Sequence, residues 1–200
     1  MDAARNLLDD FEEKANTDEQ WAIINAGGVG TRFWPVGYKY KPKQLLEFAK
    51  GKGSLLQMTV ERQINKRDPN SISPKKVLII TNKDIEEQVY LQVKKYDIPR
   101  ENIIGEPIGL NTGPALRVGA LIVEEKAGPN AIIRSLHADH IIPDSIAFNK
   151  VLAKCANFAK LSNSYVEIGV TPSKELDGKF TVNPKLGHHV IGKNIYGGIH

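Results

Sequence analysis

The sequence predicts an α/β protein built on a doubly wound, mostly parallel sheet, and three observations predict it. Short, almost continuously apolar runs alternate with longer amphipathic runs from Trp21 onward. Strands that are apolar on both faces need helices on both faces, which is the signature of a parallel sheet. A glycine-rich turn, Gly27-Gly28-Val29-Gly30, follows the first apolar run directly. Right-handed crossovers make such a sheet doubly wound, and its ligands bind at the carboxyl ends of the strands.

Residues 3–20 place Leu7, Leu8, Phe11 and Ala15 at helical spacing among acids, so an amphipathic helix over 1–20 is expected ahead of the main fold. The expected strands are Trp21 to Ala26, Lys76 to Thr81, Asn102 to Ile104, Ala131 to Leu136 and Tyr165 to Val170. Between them, Ser54 to Lys66, Asp84 to Tyr96, Thr112 to Lys126 and Ser145 to Leu161 carry helical periodicity, with Asp84 and Ser145 as expected N-caps. The core domain is therefore expected over 21–170. After Thr171 the texture changes to Gly, Pro, Lys and His, which predicts a hairpin or an extended segment over 171–200.

Two hundred residues bury a sizeable core without staples, and the single Cys155 excludes an intrachain disulfide framework and a Cys-rich zinc site. Cys155 sits in an apolar helical pattern and reads as core in a reduced, cytoplasmic protein. Lys and Arg number 27 against 23 Asp and Glu, and a net +4 spread over this length makes no polyanion-binding face, so no nucleic-acid partner is expected. No apolar run approaches the roughly 18 residues of a membrane span, and the acidic first twenty residues are unlike a secretion signal. No membrane partner is expected, and a homo-oligomer is left open.

Three glycines in four positions let a backbone turn sharply and present bare N–H groups to an anion. Phe33 occupies the place of the third glycine of the dinucleotide fingerprint, and no Lys-Ser/Thr pair follows at P-loop spacing. Instead Arg32 closes the turn, with Lys39, Lys41 and Lys43 downstream. Phosphate binding outweighs the alternative of a plain turn between core elements, while Lys39 and Lys41 read as solvated charge. Asp139 follows the fourth expected strand, where a carboxylate commonly holds a divalent cation against phosphate oxygens. Asn111 and Thr112 stand in a Gly-flanked turn after the third strand, placed to cap the next helix or to bond a base edge.

The run Ala26-Gly27-Gly28-Val29-Gly30-Thr31-Arg32-Phe33-Trp34-Pro35, followed by Lys41-Pro42-Lys43-Gln44-Leu45-Leu46, resembles the signature loop of sugar-nucleotide pyrophosphorylases. Glu106-Pro107-Ile108-Gly109-Leu110-Asn111-Thr112-Gly113-Pro114-Ala115 and Ala138-Asp139-His140 match the same family in order, closest to its mannose-1-phosphate guanylyltransferase branch. The resemblance implies a Rossmann-like, GT-A-like nucleotidyltransferase domain. Its implied reaction moves GMP from GTP to a sugar-1-phosphate, with mannose-1-phosphate favoured, and releases pyrophosphate. It also implies Mg2+ on Asp139, a catalytic set of Arg32, Lys43 and Asp139, and nucleotide contacts from Gly27, Gly28, Gly30, Thr31, Asn111 and Thr112.

The chain departs from the family's pattern at three places. Leu110 stands where arginine is common, His137 where proline is usual, and Phe180 where a second glycine of the sugar loop is expected. The family's pattern continues through a further sugar loop and a second metal-binding Asp, so the chain is expected to be a truncated product or a divergent short relative. Such a chain binds nucleotide and turns over poorly. A non-catalytic nucleotide-binding fragment or regulatory paralogue is the alternative reading.

Two other signals carry less. His137-Ala138-Asp139-His140 has the ligand types of a zinc hydrolase, but Ser135 stands where its first histidine belongs. Gly187 to Asn194 has P-loop spacing as far as Lys193, yet Asn194 lacks the hydroxyl that ligates magnesium.

Arg32→Ala is expected to weaken nucleoside triphosphate binding by roughly 1.5–3 kcal/mol, the worth of a charged hydrogen-bonding partner. Unchanged affinity in a calorimetric titration would remove Arg32 from the phosphate cradle.

Overall fold

The computed structural model describes residues 17–28, 42–47, 51–109, 111–170, 190–191 and 194–199. The expected N-terminal helix falls outside them except at its end, where Thr17–Glu19 forms a 3-10 turn. The chain divides into two compact units, residues 15–153 in one and residues 1–14 with 154–200 in the other.

In the first unit, β1 (Gln20–Asn25), β2 (Val77–Asn82), β3 (Ile103–Glu106) and β4 (Ile132–His137) form a parallel sheet in the order β3-β2-β1-β4. The chain steps from β1 outward to β2 and β3, then returns to the other side of β1 as β4. That reversal places a topological switch point, and a crevice, between the carboxyl ends of β1 and β4. Ala22, Ile23, Ile24, Val77, Leu78 and Ile79 are fully buried, as two-sided cover demands.

The helices are α1 (Leu55–Ile64), α2 (Glu86–Val93), α3 (Thr112–Ala127) and α4 (Ser145–Ser162). Helix α3 lays Ala115 and Val123 on the face made by Trp21, Ile23, Leu78 and Ile80. The crossovers to β2 and β3 run the opposite way along the sheet, so right-handedness puts α1 and α2 on the other face. Gly119 of α3 meets Ile23 and Ile80 so closely that a Cβ there would stand 2.8 Å from Ile80 Cδ1, which is why the helix approaches the sheet at a glycine.

The helix starts differ from the expected caps. Ser54 begins α1 in a capping box, accepting from the Gln57 amide while the Gln57 side chain accepts from the Ser54 amide. Asp84 does not cap the helix before β3; Asn82 accepts from the Asp84 amide, a 3-10 turn Lys83–Ile85 intervenes, and α2 starts at Glu86. Asn82 does so because it ends the strand with extended backbone, the geometry a cap requires. Ser145 is the first residue of α4, and the cap is Asp144, whose carboxylate accepts from the Ala147 amide at 2.9 Å.

At the amino ends of the strands a buried polar network ties the sheet to α1 and α4. Arg134, 3% exposed on β4, donates from Nε to Gln20 Oε1 at 2.8 Å and from Nη1 to Gln63 Oε1 and Asn70 O. Gln63 then donates to Asn149 Oδ1, and Asn149 Nδ2 donates to Arg62 O and Asp68 Oδ2. Burial pushes the Arg134 guanidinium down to about 10, partly offset by the charge of Asp68, so it stays a cation at neutral pH.

In the second unit, β5 (Val166–Val170), β6 (Val190–Ile191) and β7 (Asn194–Ile199) form a three-stranded sheet in the order β5-β7-β6. The expected fifth strand thus forms, but its ladder is parallel to β7 rather than part of the four-stranded sheet. Val190 and Ile191 pair antiparallel with Ile195 and Asn194. Cys155 on α4 is a free, half-buried thiol, and burial raises it to about 11. No helix among the described residues is long and apolar enough to cross a membrane.

Arg134→Ala is expected to destabilise the protein by about 3 kcal/mol, because it removes the donor to three acceptors, two of them buried, and takes the nearby cation from Asp68. Urea denaturation followed by circular dichroism checks this. A loss under about 1 kcal/mol would show that water enters and satisfies the network.

Candidate nucleotide site

A cavity of about 270 Å3 opens at the switch point. Its walls come from the ends of β1 (Asn25 to Gly28), β3 (Glu106) and β4 (His137 to Asp139), from Gln44, and from the start of α3 at Asn111, Thr112 and Ala115. The ladder carries on past the strands here, with the Ala138 amide donating to Asn25 O at 3.0 Å and the Ala26 amide to Ile80 O at 2.7 Å. The glycine turn is thereby held level with Ala138 and Asp139.

Lys43 and Asp139 meet at one end. Lys43 sits in a 3-10 turn, Lys43–Leu45, and its Nζ lies 2.7 Å from Asp139 Oδ2. Burial pushes the Asp139 carboxyl up, but the hydrogen bond and charge of Lys43, helped by His140 and His137, hold it below the ordinary carboxylate value. Asp139 is therefore ionised at neutral pH. His140 Nε2 stands 3.7 Å from Asp139 Oδ1, and its ring lies 5.3 Å from that of His137. Burial, and repulsion from His137, Arg62 and Lys43, pull His140 below its usual value against the pull of Asp139. With Asp144 capping α4, the carboxylate of Asp139 is not needed as a helix cap.

Gln44 is 4% exposed and is not among the expected site residues. Its Nε2 donates to Ala26 O at 2.6 Å and Gly28 O at 3.0 Å. One side chain thus clips the glycine turn to the segment that carries Lys43. Leu45 O in turn accepts from Gln92 Nε2 at 3.1 Å, and Gln92 is held by Ser54 and Gln57 at the start of α1. The signal in the sequence is its place in the Lys41 to Leu46 run, next to Lys43.

A second carboxylate lines the cavity. Glu106, at the end of β3, lies beside Gly27; a Cβ on Gly27 would come 3.5 Å from Glu106 Oε2. Burial raises the Glu106 carboxyl above its ordinary value. The glycine keeps this wall open without any left-handed backbone, since neither Gly27 nor Gly28 has a positive φ.

Asn111 occupies the N-cap position of α3 with φ 69° and ψ −174°, and its side chain makes no cap hydrogen bond. The capping expected of Asn111 or Thr112 is thus absent. A positive φ with extended ψ costs a non-glycine residue on the order of 1–3 kcal/mol.

Of the expected site residues, the structure brings together Gly27, Gly28, Lys43, Asn111, Thr112 and Asp139 around this one cavity. Gly30, Thr31, Arg32, Leu110 and Phe180 lie outside the described residues, as do Lys39, Lys41 and residues 187–189 of the P-loop-like run. Among the described residues no group of three or more His, Cys, Asp or Glu side chains could hold a metal, which sets the zinc-hydrolase pattern aside.

A family model for nucleotidyl transferases matches residues 21–178. The mannose-1-phosphate guanylyltransferase RfbM of Salmonella typhimurium is 35% identical over 152 residues, covering 76% of this chain and 30% of that protein. The alginate biosynthesis protein AlgA of Pseudomonas putida is 33% identical over 157 residues, covering 78% of this chain and 30% of that protein. A crystal structure described as mannose-1-phosphate geranyltransferase from Thermus thermophilus superposes with a TM-score of 0.62 at 26% identity. It covers 78% of this chain and 42% of that one. The chain spans about 30% of the length of these curated relatives. With its parallel sheet, its glycine turn and a match over most of its length, the chain belongs to the nucleotidyl transferase family.

Proposed function

We propose that this chain binds GTP in the switch-point cavity and carries the nucleotide half of a guanylyl transfer to mannose-1-phosphate, with release of pyrophosphate. The observation that carries the reading is a cavity lined both by Asp139, which is paired with Lys43, and by Glu106 beside Gly27. A carboxylate against Gly27 repels phosphate, so the triphosphate is assigned to Lys43 and the amides of Gly28 and its successors. Guanine offers N1–H and the 2-amino group side by side, two donors for one carboxylate, whereas adenine turns the N1 lone pair toward it. The relatives named as mannose-1-phosphate guanylyltransferases support the same base and acceptor.

Transfer of a nucleotidyl group requires little covalent chemistry from the protein. The acceptor phosphate oxygen attacks the α-phosphorus, and the protein aligns two anions and neutralises charge. Lys43 is placed to face the α-phosphoryl oxygens as charge builds, and Arg32 is assigned to the leaving pyrophosphate. Asp139 and the nucleotide's own phosphates would hold Mg2+. One ionised carboxylate suits a cation that keeps waters and completes its shell with substrate oxygens. Bound there, the ion would neutralise phosphate charge. Gln44 acts by keeping the glycine turn and Lys43 in one piece. The substrates assign the protein to the cytoplasm, where nucleoside triphosphates are found.

Calorimetric titration with GTP and ATP in magnesium, followed by a pyrophosphate-release assay with mannose-1-phosphate, tests the reading. GTP is expected to bind at least tenfold tighter than ATP, and no binding of either would overturn the proposal. Binding without pyrophosphate release assigns the chain to the non-catalytic alternative.

GTP affinity should also fall as pH drops through the raised titration of Glu106, because the acceptor of the two guanine N–H groups is the ionised form. The Glu106→Gln variant should lose about tenfold in affinity and keep only the pH dependence of the triphosphate itself. An unchanged GTP-to-ATP ratio in that variant would dissociate Glu106 from base selection.

Gln44→Leu removes both donors to the glycine turn. It is expected to cost about 1–3 kcal/mol in stability and about tenfold in GTP affinity, measured by urea denaturation and titration. A variant that lost stability alone would show that the clip is structural and does not shape the phosphate cradle.

A further inference from the structure

Asn25 ends β1 with an amide that has no assigned use. Its Nδ2 and Oδ1 are both shielded from solvent and neither has a hydrogen-bond partner, while the residue itself lines the cavity. The other orphaned side-chain atoms, Arg62 Nε and Asn102 Oδ1, belong to groups otherwise engaged: Arg62 donates to Thr59, and Asn102 donates twice to backbone carbonyls. Asn25 alone has its whole polar group unpaired among the described residues. An unpaired buried amide is a standing cost, and a leucine-sized apolar side chain would avoid it.

Position explains the cost. Side chains alternate along a strand, so Asn25 shares the α3 face with Trp21 and Ile23. Its register partners are Ile80 on one side and His137 on the other. Glu106 ends β3, but its carboxylate reaches the end of β1, where a Cβ on Gly27 would stand 3.5 Å from its Oε2, and the strand leading to Asp139 is adjacent on the other side. A base whose edge meets Glu106 therefore lies at the end of β1, where Asn25 stands. The walls there are Ile80 and Ala115, apolar surfaces for a flat ring.

We infer that Asn25 is a specificity-determining residue whose amide hydrogen-bonds the guanine base of the bound nucleotide. This deepens the proposed GTP reading and rests on it. The amide supplies both a donor and an acceptor to the flank of the ring, beside the Watson–Crick edge held by Glu106. The unpaired state is thus the nucleotide-free state of a reader, and the protein is less stable without its ligand than an apolar residue here would make it.

The experiment compares Asn25→Leu with the unaltered chain in thermal unfolding without nucleotide and in titrations with GTP, 2′-deoxyGTP, 3′-deoxyGTP and inorganic tripolyphosphate. The melting midpoint of the variant should be equal or higher. Its affinity for GTP and for both deoxy forms should fall by the same factor, about tenfold, with tripolyphosphate binding unchanged. Asn25→Ala, which removes both polar atoms without adding charge, should show the same pattern of affinities if the leucine variant fails to fold. GTP affinity within twofold of the unaltered chain overturns the inference. So does an equal loss for tripolyphosphate, which would mean a structural or phosphate role, and so does a loss that vanishes with either deoxy form, which would place the amide on the ribose. If the unaltered chain binds neither GTP nor its deoxy forms, the functional reading falls and this inference falls with it. GTP binding that ignores Asn25 removes the inference alone.

Discussion

The parallel ladder between β1 and β4 is the constraint on which the rest of the structure depends. Six consecutive residues pair, from Gln20 with Ile132 to Asn25 with His137. Slipping that register by one would send each side chain of β4 to the other face. Arg134 would then leave Gln20 and Gln63, and the turn carrying Asp139 would no longer stand level with the glycine turn. The amino end of the ladder is pinned by a satisfied charge and the carboxyl end is left to form a crevice. The buried network and the site are therefore two ends of one register.

Within the crevice, polarity is sorted by strand. A cation and an ionised carboxylate meet at β4, a carboxyl whose titration is raised by burial ends β3, and an unpaired amide ends β1 between them. Partial burial strengthens each of these interactions relative to bulk water, so a ligand of mixed polarity is oriented as well as bound. Such an arrangement has a direction. A molecule with anionic groups at one end and paired N–H donors at the other fits it one way round.

Much of this was legible in the sequence, because strand identity rests on apolar continuity and helix identity on period. The runs at Trp21, Lys76 and Ala131 became β1, β2 and β4 within a residue or so, and the Asp139 position followed from the end of the last. Details that depend on distant partners were not legible. Gln44 reaches carbonyls 16 and 18 residues away in a turn, a contact no local pattern encodes. Asp84 has the composition of a cap, but Asn82 reached the geometry first, two residues earlier. The ladder of β5 depends on which edge is brought beside it, and periodicity is blind to that choice. The expected roles of Gly30, Thr31, Arg32 and the helix before Trp21 fall on residues outside the described set.

Arg134 and Asn25 show the same physics used in opposite ways. Both are polar groups carried on strands of one sheet, and both are removed from water by the elements packed around them. Arg134 was given several neutral oxygen acceptors and a nearby carboxylate, and the unit holds together around it. Asn25 was given none, although Gln44, an amide of the same chemistry, lines the same cavity and is bonded twice. A fold able to satisfy one buried guanidinium and one buried amide completely has the means to satisfy another. Local rules of folding are broken where binding requires it: among the described residues Asn25 is the buried amide with both polar atoms unpaired and Asn111 is the N-cap that joins a positive φ to an extended ψ, and both line one cavity. That coincidence is the strongest structural ground for placing the ligand there, because it depends on neither the glycine turn nor the likeness to known transferases.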